Sequence, residues 1–156
     1  MEEKLVQELI GLSKEKANYL TNILDLTKEQ KRIINEENME RMNQIIEKKS
    51  EIIKEIDKLD VSFIMKLSQL KKENNIGDLN EIDTKKYPNL KELKEVVAQI
   101  TSILMAISIV DKENNKALEE GLEKVKLNLK KVKEGKKAYK GYNKSIPQSM
   151  LIDEKK

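Results

Sequence analysis

From Leu5 to Ile33 the apolar residues of this chain return in steps of four and three: Leu5, Leu9, Leu12, Tyr19, Ile23, Leu26 and Ile33, with Lys16 and Gln30 as the polar members of the row. That period belongs to a helix with one buried face, because a strand repeats every two residues. The same steps recur in Met39, Met42, Ile46, Lys49, Ile53, Ile56, Asp60, Phe63, Leu67 and Leu70, where Ile45, Ile52 and Leu59 widen the face. They recur in Leu90, Leu93, Val97, Ile100, Leu104 and Ile107, and again in Leu118, Leu122, Val125, Leu129 and Val132. A chain patterned in this way is expected to be all-α, an antiparallel bundle of three or four long coiled-coil-like helices.

The interruptions of the pattern divide the helices. The first helix is expected over about residues 2–35, and at Asn35-Glu36-Glu37-Asn38 the chain either breaks or only bends; Asn38 suits an N-cap and Glu40 the following first turn. Residues 71–88 lose the period and hold Asn74, Asn75, Gly77 and Pro88, which marks them as the loop where the chain reverses. Pro88-Asn89 then opens a third helix. The polar patch Asp111–Asn115 is a place for a bend, and Gly135 and Gly141 weaken the helix by about 1 kcal/mol each, so fraying is expected after residue 132. Residues 144–156, with Pro147 and no period, are expected to form a flexible tail. The expected organisation is one helical domain over 1–143, with 116–143 as its partner-binding segment.

The most apolar stretch, Val96–Val110, is 15 residues long and interrupted by Gln99, Thr101, Ser102 and Ser108. It falls short of the roughly 20 residues that span a bilayer, and is expected as a helix buried on most sides by its neighbours rather than inserted in a membrane. The N-terminus lacks the apolar core and cleavage site of a signal peptide, which makes the cytoplasm the expected location.

Chemistry is sparse. There is no Cys and no His, so thiolate and imidazole ligands, nucleophiles and acid–base groups are absent from the sequence. Phosphate-loop, zinc and calcium-loop patterns are missing as well. The carboxylate pairs Glu2/Glu3, Glu36/Glu37 and Glu119/Glu120 are expected on solvated helix faces, with nothing beside them that points to acid–base work. No catalytic residue, metal or cofactor is expected.

Charge is nearly balanced overall, 31 basic against 28 acidic residues, but residues 124–144 hold nine Lys against the single acid Glu134. Such a run is a solvated helix face, a dock for an acidic protein or membrane surface, or a nucleic-acid contact. Only Tyr139 and Tyr142 interleave with it, and single-stranded nucleic acid calls for more stacking platforms. If the first two helices pair as a hairpin, the third outruns them by up to roughly 20 Å at about 1.5 Å per residue. The stripe Leu118, Leu122, Val125, Leu129, Val132 and Tyr139 then seats a partner helix, or a second copy in a homodimer, unless the first helix packs along it.

Two stretches carry a resemblance to a known family. One is Asn38-Met39-Glu40-Arg41-Met42 leading into Ile45-Ile46-Glu47-Lys48-Lys49-Ser50-Glu51-Ile52-Ile53. The other is Asn114-Asn115, Leu118, Leu122 and Leu129, then Tyr139-Lys140-Gly141-Tyr142, and finally Ser149-Met150-Leu151-Ile152-Asp153. In this order the chain resembles the FlgN-type flagellar export chaperones along nearly its whole length. The resemblance implies a cytosolic helical bundle whose C-terminal segment binds the helical terminal segments of hook–filament junction proteins, prevents their premature assembly and presents them to the type III export gate. It also implies a docking role for one tyrosine near the C-terminus, shared here between Tyr139 and Tyr142. The alternatives are a structural coiled-coil protein that self-associates, and a basic surface binder of nucleic acid or membrane.

Overall fold

The computed structural model describes the backbone of residues 2–82 and 85–142, and the side chains of 3–78, 80–82 and 85–137. Three long helices account for almost all of it: α1 (Glu2–Ile34), α2 (Met39–Glu73) and α3 (Leu90–Tyr142), with a short 3-10 turn at Leu79–Glu81. Among the described residues there is no strand, and the architecture is an all-α bundle. The chain divides into two compact units, Met1–Asn115 and Lys116–Lys156. The first contains α1, α2 and the opening half of α3; the expected tail, 144–156, lies outside the described residues.

The boundaries have local causes. α1 ends with Lys31 and Arg32 in its last turn, where cations complement the helix dipole. The chain then turns through Glu37 at a φ of 55°, and Asn38 caps α2 by accepting a hydrogen bond from the Arg41 N–H at 3.2 Å. α2 stops at a pair of asparagines. The Asn74 N–H and side-chain amide both donate to the Leu70 carbonyl, and Asn75 takes a φ of 54°, a left-handed conformation that asparagine tolerates.

Ion pairs read out the register of the first unit. Lys14 and Lys31 on α1 meet Glu92 and Glu113 on α3, so these two helices run parallel. Lys16 and Glu8 on α1 meet Asp60 and Lys66 on α2, which runs antiparallel to α1. Each pair is partly or well exposed and stabilises by no more than about 1 kcal/mol. The main driving force is the core, which has two parts. Leu5, Val6, Leu9, Ile10, Leu70, Ile82, Tyr87, Leu90 and Leu93 close one end; Ala17, Leu20, Ile23, Ile56, Val96, Ile100 and Ile107 continue it.

Several expectations are corrected here. The segment between α2 and α3 is more than a reversing loop: Ile82 and Tyr87 are buried in the core, and the Tyr87 hydroxyl donates to Asn74 Oδ1 at 3.1 Å. α1 buries a second row beside the expected one, Val6, Ile10, Ser13, Ala17, Leu20 and Thr27. On α3 the buried seam passes through Val96 and Ile107 with Ile103 partly buried, leaving Val97 and Leu104 exposed. The apolar stretch Val96–Val110 is therefore not covered on most sides, since Met105 and Ile109 are exposed too. By length and composition alone α3 is apolar enough to cross a membrane; three residues of that stretch, Val96, Ile100 and Ile107, belong instead to the core.

The polar patch Asp111–Asn115 is helical, with no break. Asn114 is buried there and donates its side-chain amide to the Thr27 carbonyl at 3.1 Å, tying α3 to α1. The expected fraying after residue 132 is not observed either, as α3 continues to Tyr142 through both Gly135 and Gly141.

Candidate partner-binding surface

Beyond Asn115 the character of α3 changes. Leu118, Leu122, Val125, Leu129 and Val132 are 52–57% exposed, and so is Leu127. At about 100° per residue the first five fall within one face, and from Leu118 to Val132 they extend roughly 21 Å along the helix at about 1.5 Å per residue. Isolated exposed leucines are ordinary on a protein surface; a contiguous row at heptad spacing is a candidate interaction site. Tyr139 and Tyr142 continue the helix by backbone, and their side chains lie outside the described residues.

Charge surrounds the row. Lys124, Lys126, Lys130, Lys131, Lys133, Lys136 and Lys137 are all exposed. The one ion pair described in this unit is Lys126 with Glu123 at 3.9 Å, a loose contact within one turn. The acids Glu119, Glu120 and Glu134 stand exposed as well.

Elsewhere several carboxylates are held in ion pairs, Glu8, Glu29, Asp60, Glu92 and Glu113 among them. A hydrogen bond from Lys66 holds Glu8 below its ordinary pKa, and one from Arg41 does the same for Glu29, in each case against the opposing effect of desolvation. Among the described residues no three acidic side chains gather where a metal ion would be held. A cavity of about 120 Å³ lies between the three helices of the first unit, lined mainly by Leu12, Leu59, Phe63, Val97 and Ile100 and edged by the Lys16–Asp60 ion pair. Its lining is mostly apolar, and its polar members are Ser13 and the ion-paired Lys16 and Asp60.

One surface was not anticipated from the sequence. The first unit exposes Ile46, Ile53, Val61, Ile64 and Met65 on α2, and Leu104, Met105 and Ile109 on α3. The signal available for the α3 set was the complete lack of charge from Val96 to Val110. On α2 the wide apolar face gave no indication of which edge would be left uncovered.

Fold and surface together define an all-α protein with exposed apolar helix faces. A family model described as FlgN protein matches residues 1–147, and the chain belongs to the FlgN family, whose general role is that of a flagellar export chaperone. No match was found among curated proteins or among solved structures.

Proposed function

We propose that this protein is a cytosolic type III export chaperone for flagellar hook–filament junction subunits. It binds the helical terminal segment of such a subunit on Leu118, Leu122, Val125, Leu129 and Val132, with one of Tyr139 and Tyr142 serving the contact with the export gate. The observation that carries this reading is the row of five apolar side chains, each more than half exposed, on a helix of a chaperone-family chain. An amphipathic helix laid on that row removes apolar surface from water at about 25 cal/mol per Å². While it is held there, the subunit's own helix is unavailable for assembly.

Co-purification with the hook–filament junction subunits tests the reading. The full chain should retain them, and Leu122→Asp/Leu129→Asp should not. Undiminished retention by that variant, or after removal of residues 116–156, would overturn the assignment of the surface. The heptad spacing also supports self-association as a homodimer. Light scattering separates the two: a tight dimer that persists on dilution and is abolished by the same double variant would favour the coiled-coil reading.

A further inference from the structure

The two edges of the stripe differ. With Leu122 and Leu129 as a positions and Leu118, Val125 and Val132 as d positions, each residue just beyond Val125, Leu129, Val132 and Lys136 is a lysine: Lys126, Lys130, Lys133 and Lys137. These four repeat in the same steps of four and three as the stripe, so they form a rail alongside it, about 16 Å long at 1.5 Å per residue. All four are exposed, and among the described residues Lys130, Lys133 and Lys137 have no ion-pair partner. A randomly solvated run would scatter its lysines around the helix. Here Lys136 takes a stripe position, Lys126, Lys130, Lys133 and Lys137 flank one edge, and Lys124 and Lys131 lie at the outer positions beyond the other.

Immediately beside the stripe the edges differ: Lys126 and Lys133 stand on one, whereas Gly121, Asn128 and Gly135, seven residues apart and uncharged, stand on the other, with Lys124 and Lys131 farther out. A Cβ added at either glycine would meet nothing within 4 Å. A helix lying on the stripe therefore finds room to approach on this side and a row of ammonium groups on the other.

Resting on the proposed holding role, we infer that the occupant of the stripe is an acidic amphipathic helix, whose carboxylates run along one edge of its apolar face for about three turns. That edge lies over Lys126, Lys130, Lys133 and Lys137, while the other edge comes close along Gly121, Asn128 and Gly135. Like charges on this edge would be repelled, so the rail selects among helices that all share an apolar stripe. Glu119 and Glu123 precede the lysines in the same row and give it a polarity along the helix.

The test uses the full chain and two synthetic helical peptides with the same Leu/Ile stripe, one with Glu along a single edge and one with Gln there. Fluorescence anisotropy should show the Glu peptide binding about tenfold tighter at low salt, as several exposed ion pairs together would give. The difference should vanish near 0.5 M salt, where screening is short-ranged. Lys126→Gln/Lys133→Gln should lose most of the preference, whereas Lys124→Gln/Lys131→Gln, with the same change in charge, should keep it.

Equal binding of the two peptides, or equal losses in the two lysine variants, would overturn the acidic edge. If equal binding is nevertheless abolished by Leu122→Asp/Leu129→Asp, the holding role survives without it. Binding of neither peptide sinks both. A single-stranded oligonucleotide that binds as tightly as the Glu peptide, and is indifferent to the leucine substitutions, would make the rail a polyanion site and overturn the proposal.

Discussion

Asn114 shows how one side chain can fix the relation of two helices. Its amide donates to the Thr27 carbonyl, while its own Oδ1 is buried without a hydrogen-bond partner. The donor stabilises and the orphan acceptor costs, each by roughly 1–3 kcal/mol. Asn114→Leu removes both and should change stability by less than about 1 kcal/mol, because the two effects offset each other. Asn114→Asp keeps the shape but turns a charge toward a carbonyl, and should destabilise by about 2–4 kcal/mol, read as a lowered urea midpoint. Glu8 and Glu29 make a second test at this scale. Their pKa values are depressed in the folded protein by Lys66 and Arg41, so in the acid range the unfolded chain binds more protons and stability rises with pH. The contribution is complete above the ordinary glutamate value of about 4.3 and fades as pH falls through the lower folded values. Thermal melts from pH 6 to pH 3 should therefore fall less steeply for Glu8→Gln/Glu29→Gln than for the natural chain.

At the scale of elements, the connection between α2 and α3 behaves as part of the core. Tyr87 is 1% exposed and packs with Leu70, Leu90 and Leu93. Tyr87→Ala should cost about 3–5 kcal/mol and Tyr87→Phe about 1 kcal/mol, the first for a cavity and the second for the lost bond to Asn74. This role was not legible in the sequence, since a tyrosine beside a proline in a period-free stretch looks like any loop residue. Legible features were those with local causes: the Asn38 cap, the helix lengths and the heptad rows. Which of two apolar rows faces inward is decided by neighbours, so Val96 and Ile103 could not be told from Val97 and Leu104 by period alone. The second buried row of α1 was hidden for another reason. It uses Ser13, Ala17 and Thr27, small or polar residues that fit a close helix contact, and the Thr27 hydroxyl is satisfied by the Ile23 carbonyl at 2.6 Å. Within α3, Gly121 and Gly135 are open to a methyl group, so Gly121→Ala and Gly135→Ala should each raise local helix stability by about 1 kcal/mol. Slower amide exchange over residues 118–137 would report it.

For the whole molecule, the proposed function places folding and holding on different stretches of one chain. Every core cluster described here lies within Met1–Asn115, whereas Leu118, Leu122, Val125, Leu129 and Val132 are more than half exposed. Substituting a buried leucine leaves a cavity and costs about 2–5 kcal/mol; substituting an exposed one changes stability by about 0.5 kcal/mol or less. Stability and partner binding should therefore separate cleanly. Leu9→Ala should lower the urea midpoint strongly and, at temperatures where the protein remains folded, leave affinity for the junction subunit nearly unchanged. Leu122→Ser/Leu129→Ser should do the reverse, with a midpoint close to that of the natural chain and a loss of binding of tenfold or more. A stripe that had been a cryptic part of the fold would show the opposite: the serine variant would melt early, and its binding would fall only in proportion to the unfolded fraction. Measuring both quantities on both variants decides between a surface kept free for a partner and a core seam left open.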